Sequence, residues 1–391
     1  MSTLSPLDRE ACLLVACARV PLKDADTVRF RRLANEELDW SRLRGLAVRH
    51  GLVPLLWWHL NEQCPHAIPP DQREFLRAYS LGTARRNLFL TAELLRLLKA
   101  FEGHGLVAVP YKGPALTASL YGNLSLRESS DLDILLARED LPRAARLAVE
   151  LGYCQESLFE AAKFSRDIDC EWNFDRENGP HVELHWRIVP NRLADGFTVD
   201  PWLARLSSSD LVGTRIAALR PEPLLLALCA HGLKHLWSRL AWICDLSQLV
   251  RHFPELDWEL LSREAGQRGA RRIVHLGLFL AQEILGCELP PAVARDLRGP
   301  EVQDLAAPIL AGLFAEQAWS PGTVTRCHYF ARARERPRDR LACLLRIAMT
   351  INEYAWAAAN LPGPLAVLYY PLRLLRLIKR YGFDQLAHPT V

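Results

Sequence analysis

An apolar run near the middle of the chain carries two aspartates at alternating positions. The segment S-D-L-D-I-L-L-A has the alternation of a β-strand, so Asp131 and Asp133 share one face while the buried face is marked by Leu132, Ile134 and Leu136. Two carboxylates this close repel each other unless a cation lies between them. The pattern therefore predicts a strand that carries a metal site.

The residues around this strand predict a compact alternation of helices and strands. An amphipathic helix is expected over about 82–104, ending on glycine. L-V-A-V-P-Y-K-G then reads as a strand that enters a turn, and P-A-L-T-A-S-L-Y-G reads as a short helix with Pro114 at its first position. A further helix is expected near 140–152.

Two alternating runs downstream predict a β-hairpin. R-D-I-D-C-E-W-N-F and H-V-E-L-H-W-R-I-V are separated by the turn-rich D-R-E-N-G-P. If the second run lies beside the Asp131 strand, Glu183 completes a cluster of three carboxylates. Asp167, Asp169 and Glu171 on the partner run share a face and are alternative third ligands. Oxygen ligands of this kind suit Mg²⁺, or Mn²⁺ in its place.

Helices are expected on both sides of this region. The first eighty residues look helical: Ser5 and Pro6 read as a helix start, and Asp39 can cap a helix that runs from Trp40 to Gly51. The E-L-D-W motif of that start recurs at 255–258, and the chain is expected to be helical from about residue 200 almost to its end. The fold class is therefore α+β, with helical regions at 1–80 and 201–391 around a small mixed sheet at 81–200.

Composition limits the class of protein. Of the 391 residues, 50% are apolar and 24% are charged, which is typical of a soluble globular protein. No run is long enough to span a bilayer and the first residues lack a basic signal-peptide start, so we expect a cytoplasmic protein. The ten cysteines lack C-x-x-C spacing, so we expect free thiols. A net charge of +3 gives no indication of nucleic-acid binding.

A histidine-containing segment is the second candidate for a functional surface. In L-C-A-H-G-L-K-H-L-W-S-R-L-A-W-I-C-D-L, read as one helix, one stripe contains His231, Lys234, His235, Ser238 and Asp245. The H-x-x-x-H spacing lacks the glutamate and third ligand of a zinc site. The stripe either packs at a domain interface or lines the cleft, where it would contact the nucleotide or the acceptor.

Two further features leave alternatives open. The basic segment P-L-A-V-L-Y-Y-P-L-R-L-L-R-L-I-K-R-Y-G can pack its leucines on the protein or lie on a membrane surface, and Pro371 favours packing. The second feature is a set of tryptophans that can either line an acceptor pocket or belong to the core, namely Trp40, Trp57, Trp58, Trp237 and Trp242.

The order helix, strand, Lys-Gly turn, short helix, R-x-x-S-D-L-D-I strand and acidic strand resembles the DNA polymerase β-type nucleotidyltransferase superfamily. More closely, it is similar to a bacterial group of uncharacterised nucleotidyltransferases, through residues 80–190. The resemblance implies that Asp131 and Asp133 are the superfamily's D-x-D pair and that Glu183 is its third carboxylate. By the same resemblance, Gly113 approaches the triphosphate.

The resemblance also predicts how a nucleotide is bound. The serine usual in the loop is absent and Pro114 removes an N–H, whereas Lys112 and Arg127 supply cations near the phosphates. The alternatives are that Arg127 pairs with Glu128 or caps the strand, and that Lys112 is an ordinary solvated lysine. The related group carries a similar His-rich helix, which favours nucleotide contacts by Lys234 and His235 over zinc.

The activity implied is magnesium-dependent transfer of an NMP, with ATP as the expected donor, to a hydroxyl of an unidentified small molecule, peptide or protein. The alternatives are a catalytically idle nucleotide-binding or antitoxin-like module of the same fold, and a scaffold that binds through its helical flanks.

Overall fold

The fold is α+β, as the sequence predicts. A computed structural model of the chain describes residues 7–155, 170–191, 193, 196–316 and 319–349. Helices form the first part of the described chain, as expected: α1 (Arg9–Cys17), α2 (Asp24–Ala34), α3 (Trp40–His50) and α4 (Val53–Gln63), followed by a short 3₁₀ turn (Pro65–Ala67) and α5 (Pro70–Gly103). The helix predicted at 82–104 is the C-terminal part of α5, which has 34 residues and begins earlier, at Pro70.

Both E-L-D-W motifs start helices by the same hydrogen bond. The Asp39 side chain accepts from the backbone N–H of Arg42, and α3 ends at Gly51 with a left-handed φ of 68°. The Asp257 side chain likewise accepts from Leu260 N at the start of a later helix. The helix start predicted at Ser5 and Pro6 lies outside the described residues; the first described helix is capped by Asp8.

A five-stranded mixed sheet follows α5, in the order β1-β2-β5-β4-β3. The central pair, β2 and β5, is parallel, and the other neighbours are antiparallel. The β4–β5 hairpin is confirmed, although the first part of its predicted first strand, up to residue 169, lies outside the described residues. In chain order the elements are β1 (Val109–Pro110), α6 (Gly113–Tyr121), β2 (Asp131–Leu135), α7 (Leu141–Glu150), β3 (Cys154–Gln155), β4 (Glu171–Asp175) and β5 (His181–His185).

The prediction of an entirely helical chain after residue 200 is wrong, because a β-hairpin interrupts the helices. A second hairpin, β6 (Ser207–Leu211) and β7 (Thr214–Ala218), follows the short helix α8 (Asp200–Leu203). Its turn has two positive-φ residues, Val212 and Gly213, and its apolar side chains join the core beneath the sheet. The Ser-rich first strand carries no alternation of apolar residues, so the pattern that identifies half-buried strands is missing.

The remaining elements are helices. They are α9 (Pro221–Lys234), α10 (Leu240–His252), α11 (Trp258–Gln267), α12 (Arg271–Leu285), α13 (Pro291–Asp296), α14 (Pro300–Leu313), α15 (Thr323–Ala333) and α16 (Pro337–Met349).

The single helix expected across 228–246 is also wrong, because the chain breaks between α9 and α10. Leu236 and Trp237 adopt left-handed φ angles of 55° and 51°, which are costly for bulky side chains. The buried indole of Trp237 offsets this cost by packing against two glycines, Gly232 and Gly277. Local sequence patterns do not predict this break, because its cause is the packing of Trp237 against Gly277 in the distant helix α12.

Two buried clusters form the cores. One joins helices from both ends of the described chain, with Leu14 and Leu55 in the same cluster as Leu280 and Leu305. The other lies under the apolar face of the sheet, between β2, β5, α5 and α7, and contains Ile134 and Leu184 among others. The predicted divisions at residues 80 and 200 remain predictions.

The tryptophans divide between core and surface. Trp237 is fully buried, Trp40, Trp57 and Trp242 are partly buried against the larger core, and Trp58 is exposed.

All ten cysteines are free thiols, as expected. None of the helices in the described part of the chain combines the length and apolar character needed to cross a bilayer. The basic segment around Pro371 lies outside the described residues.

The contact between Gly232 and Trp237 gives a test of the helix break. A Cβ at Gly232 would lie 2.5 Å from the indole ring, so Gly232→Ala must displace the ring or the backbone. We expect a loss of roughly 1–3 kcal/mol in the free energy of unfolding, measured by urea denaturation. Gly45→Ala in α3, where nothing lies within 4 Å, is the control and should stabilise the protein by about 0.5–1 kcal/mol. An unchanged unfolding midpoint for Gly232→Ala would contradict this account of the break.

Candidate active site

The sheet register brings the predicted carboxylates together. In the parallel β2–β5 pair, Asp133 lies opposite Glu183 and Asp131 lies opposite His181, so all four side chains belong to one face. The opposite face carries Leu132 and Ile134, which are buried in the sheet core. The predicted strand alternation and the predicted position of Glu183 beside the aspartates are therefore both present.

The neighbouring strand extends this polar face. In the β4–β5 pair Asn173 lies opposite Glu183, and Glu171 lies opposite His185. Of the alternative third ligands, Glu171 is thus one strand further from the aspartates than Glu183. Asp167 and Asp169 lie outside the described residues.

The Lys-Gly turn lies directly against the aspartate strand. Gly113 begins α6 with a left-handed φ of 59°, and a Cβ at this position would lie 3.1 Å from the carbonyl oxygen of Asp131. Glycine is thus required both by conformation and by close approach. Lys112 precedes it, and its Nζ lies 2.6 Å from Asp133 Oδ1.

A histidine that the sequence argument did not assign to the site lies at the centre of the carboxylates. His185 is 1% exposed, and its Nε2 lies 3.1 Å from Asp133 Oδ1 and 2.9 Å from Glu183 Oε2. Its presence on the Glu183 face of β5 follows from the strand alternation. Its contact with the two carboxylates depends on the register with β2.

Opposing effects set the charges of this cluster. Burial raises the pKa of Asp131, and the neighbouring Asp133 carboxylate adds to the rise. Burial acts in the same direction on Asp133, but the Lys112 ammonium and the His185 imidazole outweigh it and hold the pKa of Asp133 far below its usual value. The pKa of His185 is in turn raised well above its usual value, because its hydrogen bonds to carboxylates outweigh burial. Asp133 and His185 therefore form a charged pair, and Asp131 accepts a proton more readily.

Within this cluster, Asp133 Oδ2 and the hydroxyl of Tyr111 are buried and have no hydrogen-bond partner among the described residues. An orphaned carboxylate oxygen in a buried cluster is costly unless something binds it. Asp133, Glu183 and His185 offer ligand atoms that all lie within 4.8 Å of one another, whereas Asp131 shares the sheet face but is outside that group. The carboxylate oxygens are ligands that Mg²⁺ and Mn²⁺ prefer. The residues present therefore fit the implied ion.

The end of α9 borders the cluster. His231 Nδ1 lies 3.3 Å from Lys112 Nζ, and Lys234 Nζ lies 3.2 Å from Glu171 Oε1. The His235 ring is exposed and lies 4.6 Å from the His231 ring and 5.1 Å from Trp242, between ring centroids. Although His235 is partly exposed to solvent, its packing against these two rings desolvates the imidazole and lowers the pKa of His235 to about 4. The Lys234 charge acts in the same direction, so the ring is neutral at pH 7. The predicted cleft residues Lys234 and His235 are thus next to the carboxylate face.

A protein-family model matches residues 36–286, well over half of the chain, and its description is an uncharacterised nucleotidyltransferase. The chain belongs to this family. The match spans the whole of the site described above, from the Lys-Gly turn to the end of α9.

Two solved structures align with the nucleotidyltransferase at low similarity. One is titled a crystal structure of ANT(2")-Ia in complex with adenylyl-2"-tobramycin; it is 12% identical, covers 46% of this chain and 98% of that chain, and has a TM-score of 0.33. The other is an antigenic nucleotidyltransferase-like protein from Paracoccidioides brasiliensis, with 14% identity, 53% and 97% coverage, and a TM-score of 0.30. No curated protein sequence matches the chain.

Arg127 of the nucleotidyltransferase is engaged by a partner that the sequence argument did not foresee. Its Nε and one terminal nitrogen lie 2.8 and 2.9 Å from the two oxygens of Asp245, which is a bidentate pair. The Tyr121 hydroxyl donates to the same carboxylate at 2.8 Å. This buried pair joins α10 to the loop that precedes β2, four residues before Asp131.

Removing one partner of this pair would leave a buried charge. We therefore expect Asp245→Asn to lower the free energy of unfolding of the nucleotidyltransferase by roughly 3–5 kcal/mol. Thermal and urea unfolding measure the change. The double variant Arg127→Met plus Asp245→Leu removes both charges and should recover most of the loss. Equal destabilisation by the single and the double variant would contradict a coupled pair.

Proposed function

We propose that the protein transfers an NMP, specifically AMP from ATP, to a hydroxyl group of a small molecule, a peptide or a protein. The single observation that supports this most strongly is the placement of Asp131, Asp133 and Glu183 on one sheet face, against the left-handed turn at Gly113. The family match supports the reaction class.

The carboxylates would hold Mg²⁺ or Mn²⁺. Asp131 and Asp133 would be its aspartate ligands, and Glu183 would be the third carboxylate ligand. When bound, such ions neutralise the triphosphate and lower the pKa of an acceptor hydroxyl. Glu183 is half-buried and belongs to the same face as the aspartates, so we also propose it as the group that takes the acceptor proton.

The nucleotide would be bound by the turn and by the end of α9. Gly113 has no side chain to obstruct a phosphate, and Lys112 supplies a positive charge beside it. Lys234 is a second cation at the opposite edge of the carboxylates. We propose that Arg127, which the sequence assigns to phosphate, acts through Asp245 by fixing the approach to β2.

The carboxylate assignment is tested by the release of pyrophosphate and the transfer of label from α-labelled ATP with Mg²⁺, using cell extract as the source of acceptor. We expect both signals to disappear in the double variant Asp131→Asn plus Asp133→Asn, because the ligand charges are lost. Glu177→Gln, an exposed carboxylate in the β4–β5 turn, is the matched control and should keep activity.

Circular dichroism and a melting curve must show that the double variant folds. Transfer that persists in a folded double variant would contradict the assignment. Metal-dependent ATP binding without any transfer by the wild type would instead favour the idle nucleotide-binding module.

The exposed ring of His235 is the proposed stacking surface for the base. Removing one aromatic face costs roughly 1 kcal/mol, or about fivefold in affinity. We therefore expect His235→Ala to raise the KM for ATP about fivefold with kcat nearly unchanged. The control is His252→Ala, which removes an exposed histidine at the end of α10 that packs on Phe253 and should leave both constants unchanged. A fall in kcat with unchanged KM would contradict the stacking role.

A further inference from the structure

The imidazole of His185 faces two different sets of ligands. Its Nε2 lies against Asp133 and Glu183, and its Nδ1 faces Glu171, whose Oε2 is 3.5 Å away. Cys170 precedes β4 and contacts the same Glu171 oxygen through its thiol. One sulfur, one nitrogen and one oxygen atom, from Cys170, His185 and Glu171, all lie within 4.8 Å of one another.

The Nδ1 atom of His185 is an independent sign of a missing ligand. The residue is 1% exposed, and within the described part of the chain Nδ1 has no hydrogen-bond partner. The Glu171 carboxylate at 3.5 Å is an ion-pair neighbour of Nδ1 and not a hydrogen-bond partner. A buried ring nitrogen without a hydrogen bond is costly, and a bound cation would remove that cost. Nδ1 faces the Cys170 and Glu171 side of the ring, away from the aspartates.

We propose that Cys170, Glu171 and His185 Nδ1 form a second metal site, for a borderline divalent transition ion such as Zn²⁺. Three protein ligands of this type, with water in the fourth position, are a common zinc arrangement. The site is chemically distinct from the aspartate cluster, because a thiolate and an imidazole select transition ions whereas the carboxylate oxygens select Mg²⁺.

The surroundings suit such an ion. Glu171 contacts Lys234 through Oε1, which leaves Oε2 for the metal. A metal-bound histidine usually donates its other ring N–H to a carboxylate, and His185 Nε2 has Glu183 at 2.9 Å and Asp133 at 3.1 Å for this purpose. The ion would therefore fix the ring that positions both carboxylates of the aspartate cluster.

Binding is a ligand exchange without any redox change. The Cys170 thiol loses its proton and its sulfur bonds to the metal, and any proton on Nδ1 likewise passes to water. Burial and the neighbouring Glu171 carboxylate raise the pKa of the free Cys170 thiol to about 12, so the thiol is protonated until a metal binds.

Cobalt titration of the full chain tests the site, because a thiolate bound to Co²⁺ gives a near-ultraviolet charge-transfer band that oxygen ligands do not give. We expect one equivalent of Co²⁺ to produce this band in the presence of excess Mg²⁺, and Zn²⁺ to remove it. The band should be lost in Cys170→Ser, which is nearly isosteric. It should persist in the control Cys154→Ser, which removes an exposed thiol, and in Asp131→Asn.

A measurement on the wild type alone keeps the test valid if Cys170→Ser fails to fold. X-ray absorption of the zinc-loaded protein should show one sulfur ligand at about 2.3 Å. The proposal is overturned if zinc has only oxygen and nitrogen ligands, if the cobalt band is absent, or if the band disappears in Cys154→Ser instead. Cobalt binding that is lost in Asp131→Asn and shows no thiolate band would place the ion at the aspartate cluster and would also overturn it. None of these readouts depends on nucleotide transfer.

Discussion

The ion pair between Lys112 and Asp133 is the contact on which the candidate site depends. Asp133 is 2% exposed, and a carboxylate at that depth is tolerated only when it is paired and hydrogen-bonded. Lys112 comes from the glycine turn and His185 comes from β5, so one buried oxygen joins three elements. Gly113 makes this possible, since any side chain there would press on the backbone of Asp131.

The same contact suggests how a substrate would enter. Oδ1 of Asp133 is held by two cationic groups, whereas Oδ2 is buried without a partner among the described residues. A divalent ion offers Asp133 a new cation, and a triphosphate offers Lys112 a new anion. Under the proposed function, a triphosphate that draws Lys112 away leaves Asp133 without its cation, and the metal supplies a new one. Nucleotide and metal therefore bind more tightly together than either binds alone.

The local pattern of the sequence was enough to predict which carboxylates share one face of the sheet. Asp131, Asp133 and Glu183 could be placed on one face because strand alternation has a period of two, and the hairpin limited which strand lies beside which. Contacts between distant segments could not be predicted in this way. The pairing of Arg127 with Asp245 and the approach of His231 to Lys112 both depend on how α9 and α10 pack. The break at Leu236 and Trp237 has the same origin, since the packing of the indole against Gly277 outweighs helix propensity.

The most direct measurement is a crystal structure of the protein with Mn²⁺ and a non-hydrolysable ATP analogue, in which anomalous scattering locates the manganese. We expect a manganese peak bonded to Asp131 and Asp133, near Glu183, with the triphosphate beside Gly113 and the Lys112 ammonium moved from Asp133 to a phosphate. An analogue bound elsewhere, or a bound analogue with no manganese at the aspartates and Lys112 still on Asp133, would contradict the proposed site.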